Sequence, residues 1–171
     1  MKKSYDRTKI TQVPGAKIAI VQASWHKEHT DRMIEAAREI LEAAGCATVD
    51  VFVVPGSYEI PLTAKKIAKT NKYEAIFVFG VILKGETDHY DVIVQTCIRE
   101  IGRVMYEYEV PVIMEILPVK DIEHVIARTK GDNNKGIEAA QAAIELIALY
   151  RKLESEGVSA AASNPKLTTT T

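Results

Sequence analysis

Four short runs of apolar, largely β-branched residues recur along the chain, and stretches with helical spacing separate them. Each run is apolar at consecutive positions and does not alternate with polar residues. This is typical of a strand buried on both faces of a parallel sheet. The pattern therefore predicts an α/β fold with helices covering both faces of the sheet. The predicted strands are Lys17–Ala23, Val49–Val54, Ala75–Phe79 and Pro111–Leu117.

The intervening segments carry apolar residues at intervals of three and four, which indicates amphipathic helices. Gly45 ends the first of these, and Pro55-Gly56 and Gly80 close the second and third strands. A polar loop, Thr129–Asn134, precedes the last helix. The predicted helical stretches are Met33–Ala44, Ile60–Ala68, Val92–Tyr108, Asp121–Ala127 and Ile137–Ile147.

The chain has 171 residues, the size of one domain. We expect an N-terminal arm at residues 1–16, one α/β domain at 17–154 and a disordered tail at 155–171.

The net charge is −1, which argues against binding nucleic acid through bulk electrostatics. No apolar run is long enough to span a membrane, and no secretory signal is visible. Two cysteines without a paired spacing indicate reduced thiols in a cytoplasmic protein.

Unusual residues follow every predicted strand at its carboxyl end. In open parallel sheets, ligands bind in the crevice outside these ends. The sequence therefore places a small-molecule site there, formed by several loops together. The segments concerned are Trp25-His26, Pro55–Glu59, Gly80–Tyr90 and Leu117–Val119.

The turn Gly85-Glu86-Thr87 leads into the third predicted helix, whose free backbone N–H groups favour an anion such as phosphate. A simple helix cap by Thr87 or Asp88 is the alternative. His89 falls in the first helical turn, where the helix dipole disfavours the imidazolium and a neutral imidazole can exchange protons. An ordinary surface histidine is the alternative reading.

Trp25, the only tryptophan, can stack on a flat heterocycle or pack into the core. Arg128, Lys130 and Lys135 can clamp a phosphate or form a solvated basic loop. No histidine or carboxylate spacing indicates a metal site.

Four ordered segments together resemble the lumazine synthase family, and the likeness extends from about Lys17 to Leu153. The segments are Val54–Pro61 (VPGSYEIP), Gly80–Asp91 (GVILKGETDHYD), Val110–Ile113 (VPVI) and Asn134–Ala140 (NKGIEAA).

The resemblance implies a flavodoxin-like three-layer fold with a four-stranded parallel sheet. It implies a transferase of riboflavin biosynthesis that condenses 5-amino-6-ribitylaminouracil with 3,4-dihydroxy-2-butanone 4-phosphate. The products are 6,7-dimethyl-8-ribityllumazine, phosphate and water, and neither a metal nor an organic cofactor is used. The resemblance also implies a homo-oligomer of at least five subunits with sites between neighbours, and it allows riboflavin synthase as a further partner.

By the same resemblance, His89 is the proton-transfer residue. Phosphate binding falls to Gly85, Glu86, Thr87 and Arg128. The remaining positions surround the pyrimidine and its ribityl chain: Trp25, His26, Gly56, Ser57, Tyr58, Glu59, Val81, Ile82, Lys84, Met114, Lys135 and Glu138.

Several positions depart from the family pattern. Met114 stands where phenylalanine is common, and Glu115 replaces a common glycine. Glu86 stands where a small residue is usual, and His26 replaces a frequent asparagine. Arg128 lies one residue closer to the Asn134 segment than the family spacing.

Two other functions fit parts of this pattern. One is a flavin- or lumazine-binding shell protein without turnover, which Met114 and the shifted Arg128 would favour. The other is an unrelated flavodoxin-like FMN or receiver domain. The first strand argues against the latter, because neither a Ser/Thr-rich phosphate loop nor an acidic pair follows it.

Overall fold

The computed structural model describes residues 10–157 and contains one four-stranded parallel sheet. The strands lie in the order β2-β1-β3-β4, which leaves β2 and β4 at the edges. The prediction of a parallel sheet is confirmed. The strand bounds are β1 Lys17–Ala23, β2 Thr48–Val54, β3 Ala75–Leu83 and β4 Val112–Val119.

Five α-helices connect and cover the strands within the described residues. The helices α1 and α5 pack together on one face of the sheet, and α2 and α3 pack on the other, which makes the predicted three-layer fold. No helix in residues 10–157 is long and apolar enough to cross a membrane. The helix bounds are α1 Lys27–Ala43, α2 Ile60–Ala68, α3 His89–Tyr108, α4 Ile122–Ile126 and α5 Lys135–Ser155.

Each face of the sheet has its own hydrophobic core because alternate side chains of a strand point to opposite faces. In β1, Ile18 and Ile20 join the core beneath α1 and α5. Ala19 and Val21 join the core beneath α2 and α3. All four side chains are fully buried, as expected for a central strand of a doubly covered sheet.

The third strand and the third helix are longer than the sequence pattern predicts. Strand β3 continues past Phe79 through Leu83, and α3 begins at His89, three residues before Val92. The extension exists because β4 offers further partners: Gly80 to Leu83 pair with Ile116 to Val119. The loop between β3 and α3 is therefore short, and it starts from a strand whose end is fixed by the sheet.

Helices α1 and α5 approach each other closely at Gly136, in the first turn of α5. A methyl group added at Gly136 would lie 1.9 Å from the backbone oxygen of Met33 in α1. Asn134 caps α5 by accepting a hydrogen bond from the Gly136 amide at 2.8 Å, and it donates to the Arg32 carbonyl at 3.0 Å. This contact fixes the start of α5, and with it Lys135, relative to α1.

Residues 10–16 lie against the main body of the fold. Val13 is buried, and its amide donates to the Ala44 carbonyl at 2.8 Å. The rest of the predicted arm, residues 1–9, and most of the predicted tail, residues 158–171, lie outside the described residues. The division of the chain at residues 16 and 154 stays a prediction.

Candidate active site

A cleft of about 710 Å³ opens at the carboxyl ends of β1, β2 and β3. The loops that follow these three strands line it together with the start of α3. The fourth predicted segment, Leu117–Val119, belongs to β4 itself and does not line the cleft. Eleven of the predicted site residues meet here: Trp25, His26, Gly56, Ser57, Tyr58, Glu59, Val81, Ile82, Gly85, Thr87 and His89.

The turn after β2 is held in a defined shape by its own side chains. The carboxylate of Glu59 accepts a hydrogen bond from the Gly56 amide at 2.9 Å and closes the turn. Ser57 is buried inside it, whereas Tyr58 is exposed towards the cleft. Gly80 in β3 makes room for Ser57, because an added methyl group would lie 2.5 Å from the Ser57 hydroxyl oxygen.

Cys97 of α3 supports this turn from below. Its thiol donates a hydrogen bond to the backbone oxygen of Ser57 at 3.3 Å. Burial raises the pKa of the Cys97 thiol to about 11, so the thiolate is scarce at neutral pH. Cys97 therefore supports the turn after β2, and its thiol is not suited to act as a nucleophile.

The start of α3 is open at the cleft. Asp88 occupies the position before the helix, and its side chain makes no capping hydrogen bond. The capping role considered for Thr87 or Asp88 is therefore not seen for Asp88, and the first-turn amides remain free of a side-chain cap. Gly85 and Thr87 line the cleft at this helix end, which is a suitable place for an anion.

His89 is the first residue of α3 and lies exposed in the cleft. No hydrogen bond of its side chain to another residue of 10–157 occupies the ring nitrogens. An accessible imidazole at the meeting point of the loops can give and take protons from a bound molecule.

Trp25 is 71% exposed, so core packing is not its role in this chain. It lies two residues past the end of β1, and the next residue, His26, has the left-handed backbone angle φ of 57° before α1 begins. The sharp turn at His26 leaves the indole of Trp25 at the wall of the cleft, where a flat ring can stack on it.

Two further predicted residues, Lys84 for the substrate and Glu86 for the phosphate, lie outside the lining of this cleft. Lys84 is directed along α3, where its ammonium group lies 3.9 Å from an Asp91 carboxylate oxygen and over the ring of Tyr90. Glu86 is exposed and does not line the cleft, so its charge is not held against the anion position.

Four further predicted residues form a second group, on β4, in the segment between α4 and α5, and on α5. Met114 is 37% exposed on the edge strand. Lys135 contacts the Glu138 carboxylate one turn along α5. Arg128 is exposed and donates to the His124 carbonyl at 3.0 Å, while its own carbonyl accepts from the Lys135 amide at 2.8 Å. None of the four lines the cleft of the same chain.

Glu115 joins this second group, although the sequence analysis assigned it no role. It is half-buried on β4, and burial raises the pKa of its carboxyl group to about 7. Lys135 opposes the rise and Glu138 adds to it, so the three groups interact electrostatically. A charged residue interrupting the apolar run Val112–Leu117 was the signal available in the sequence.

A second cavity, of about 640 Å³, lies between α2 and α3 beside the first and shares Pro55, Tyr58 and Glu59 with it. It lacks the helix start and the imidazole, so the first cleft is the better catalytic candidate. Within residues 10–157, no group of three or more His, Cys, Asp or Glu side chains is arranged to hold a metal ion.

Comparison with known proteins identifies the family. The family model for 6,7-dimethyl-8-ribityllumazine synthase matches residues 15–151. The synthase of Thermococcus onnurineus is 39% identical over 139 residues, which cover 81% of this chain and 91% of the relative. The synthase of Pyrococcus furiosus is also 39% identical over 139 residues, covering 81% and 88%. The synthase of Stenotrophomonas maltophilia strain K279a is 36% identical over 141 residues, covering 81% and 91%. The chain belongs to the 6,7-dimethyl-8-ribityllumazine synthase family.

Proposed function

We propose that this chain condenses 5-amino-6-ribitylaminouracil with 3,4-dihydroxy-2-butanone 4-phosphate to form 6,7-dimethyl-8-ribityllumazine. The observation that carries the proposal is the meeting of three groups in one cleft of a family member. These are the exposed Trp25 indole, the uncapped start of α3 and the accessible His89 imidazole. They suit a flat ring, a phosphate and a proton transfer respectively.

The butanone phosphate places its phosphoryl group at the Gly85–Thr87 turn. The uncapped first-turn amides and the helix dipole both favour an anion there. The Thr87 hydroxyl is exposed at the same place and can donate to a phosphate oxygen. This position brings the carbon skeleton of the substrate close to His89, the first residue of the helix.

The pyrimidine lies between Trp25 and the turn that follows β2. Stacking on the indole orients the ring, and Val81 and Ile82 supply apolar wall. The Gly56–Glu59 turn offers backbone and hydroxyl groups to the ribityl chain. Because Glu59 and Cys97 hold this turn in shape, little ordering is needed when the substrate binds.

The reaction proceeds by proton transfers and departures of leaving groups, for which one imidazole is enough. The ring amine attacks the butanone carbonyl and, with loss of one water, gives an imine, and phosphate then leaves. An enol tautomerises, and the side chain cyclises with loss of water. His89 moves the protons in these steps, which is typically worth about 10²–10⁴-fold in rate. Holding both substrates together contributes much of the rest.

The complete site includes residues of a neighbouring subunit. The cleft is lined by exposed residues such as Trp25 and His89. Four predicted site residues lie outside the cleft of their own chain: Met114, Arg128, Lys135 and Glu138. A ring in which β4 and α5 of one subunit cover the cleft of the next accounts for both facts. Such heterologous contacts close into a cyclic oligomer, and we propose at least five subunits.

The proposed reaction also determines the expected substrates and protein partner. The substrates are small molecules, and riboflavin synthase is the proposed protein partner because it would use the lumazine. A cytoplasmic location remains part of the proposal.

The direct test is to mix the purified protein with both substrates and follow the fluorescence of the lumazine product. Product formation that requires both substrates and releases inorganic phosphate supports the proposal. A protein that binds the lumazine or a flavin but forms no product would instead be a binding module of the same fold. Light scattering on the same sample measures the assembly, and a monomer at micromolar concentration would contradict the shared site.

A further inference from the structure

The Glu115 side chain has an unusual position on the edge strand. Residues Ile113 and Leu117 flank it at two-residue intervals and belong to the core beneath α1 and α5. Glu115 therefore shares their face of β4, the face that α5 covers, and Lys135 and Glu138 at the start of α5 act on it electrostatically. Its neighbour across the β3–β4 ladder is Phe79, which is fully buried.

The Glu115 carboxyl group has no hydrogen-bond or ion-pair partner among residues 10–157. Lys135 instead contacts Glu138. The charged groups that act on Glu115 are these two residues of α5, with opposite effects. The Lys135 ammonium group thus interacts electrostatically with two carboxyl groups, and it forms an ion pair only with the exposed one, Glu138.

The charge of this cluster depends on Glu115. With Glu115 protonated, Lys135 and Glu138 neutralise each other. With Glu115 ionised, the half-buried carboxylate attracts the same ammonium group inward, and the cluster has one excess negative charge. Burial raises the pKa of Glu115 to about 7, so this change takes place in the physiological range.

We propose that Glu115 is a positioning residue that controls, by gaining or losing a proton, how Lys135 is presented to the substrate in the neighbouring subunit's cleft. The inference rests on the proposed function and on the shared site. The protonated form leaves Lys135 at the surface with Glu138, and the ionised form draws it towards β4. Substrate binding through Lys135 is therefore stronger below neutral pH than above it.

The first arm of the test does not require activity. A carboxyl group whose pKa is raised from its usual 4.5 to about 7 in the folded state stabilises the fold fully below pH 4.5, and this contribution is lost as the pH rises towards 7. The melting temperature of Glu115→Gln relative to the parent should therefore increase between pH 5 and about pH 8. Glu145→Gln, which changes an exposed carboxylate on the same helix as Lys135, is the matched control and should show no such trend.

The second arm measures the pH profile of KM for the ribitylaminouracil. In the parent, KM should rise about three- to tenfold between pH 6 and 8.5, while Glu115→Gln and Lys135→Gln should each show a flat profile.

A melting difference that does not change with pH would overturn the inference, because Glu115 would not titrate there. A pH-dependent melting difference with an unchanged KM profile in Glu115→Gln would overturn the positioning role alone. A parent that forms no lumazine would instead overturn the proposed function, and with it the substrate part of the inference.

Discussion

Two regions hold the predicted site residues in very different ways. The first consists of the loops after β1, β2 and β3. The second, here called the β4–α5 edge, consists of Met114, Glu115, Arg128, Lys135 and Glu138. The first region is a formed cleft, in which Glu59 and Cys97 fix a turn and a helix start lies open. The second is a set of exposed or half-buried side chains, most of them ionisable, that do not line this cleft. Under the proposed shared site, one chain supplies the chemistry, and the second region acts only when it is placed against another chain.

Gly136→Ala has the largest expected effect. It displaces the start of α5, which carries Lys135 and Glu138, and leaves the cleft residues unchanged. The added methyl group would overlap the Met33 carbonyl, so α5 must move away from α1 at the cost of packing. We expect a loss of at least about 3 kcal/mol in the free energy of unfolding, measured by denaturant titration.

Gly102→Ala is the matched control for that substitution. Gly102 lies exposed in α3, and nothing within 4 Å opposes a methyl group. Alanine there should leave stability unchanged or raise it by up to about 1 kcal/mol. Equal losses in the two variants would mean that the close approach of α1 and α5 is not the cause.

His89→Ala tests whether the formed cleft contains the chemistry. Turnover should fall about 10²–10⁴-fold, because the proton carrier is removed. The melting temperature should change little, since the exposed ring packs against no core residue. The measurement is kcat by lumazine fluorescence, with the exposed His124→Ala on α4 as the control. Activity within about twofold of the parent would exclude His89 as the proton carrier.

Mixed assemblies test whether the two regions come from different chains. Subunits carrying His89→Ala and Arg128→Ala are co-expressed with different tags, and only assemblies containing both are collected. The assay uses butanone phosphate well below its KM, where Arg128→Ala assemblies should keep about a tenth of the parent activity and His89→Ala assemblies almost none. In random rings about one interface in four has both intact residues, so the mixed assemblies should reach about a quarter of the parent activity. No rescue in a true oligomer would place the complete site within one chain.

Arg128→Ala should have the smallest effect, and it tests whether the β4–α5 edge binds the phosphate substrate. Removing an exposed guanidinium near a phosphate should raise KM for the butanone phosphate about tenfold and change KM for the pyrimidine less. Lys130→Ala, also exposed and two residues away, is the control. A larger effect on the pyrimidine would show that the one-residue shift in spacing has moved Arg128 to another role.

The sequence predicted the formed cleft better than the edge, for a physical reason. Apolar runs and the rule that ligands bind at strand ends are local properties, and they correctly grouped Trp25, Gly85 and His89. The extension of β3 to Leu83 depends on the partner strand β4, which no local pattern contains. The pKa of Glu115 depends on burial and on two residues of α5 that are distant in sequence. Likewise, the requirement for Gly136 arises only when α1 lies beside α5.

The exposed Trp25 has a practical consequence. It is the only tryptophan of the chain, and it lies at the wall of the cleft. All indole emission of the unmodified protein therefore originates at the place where ligands are expected. A lumazine or flavin stacked on this ring would quench it and accept its excitation energy. Occupancy of the cleft can thus be followed optically, in the intact assembly and without an attached dye.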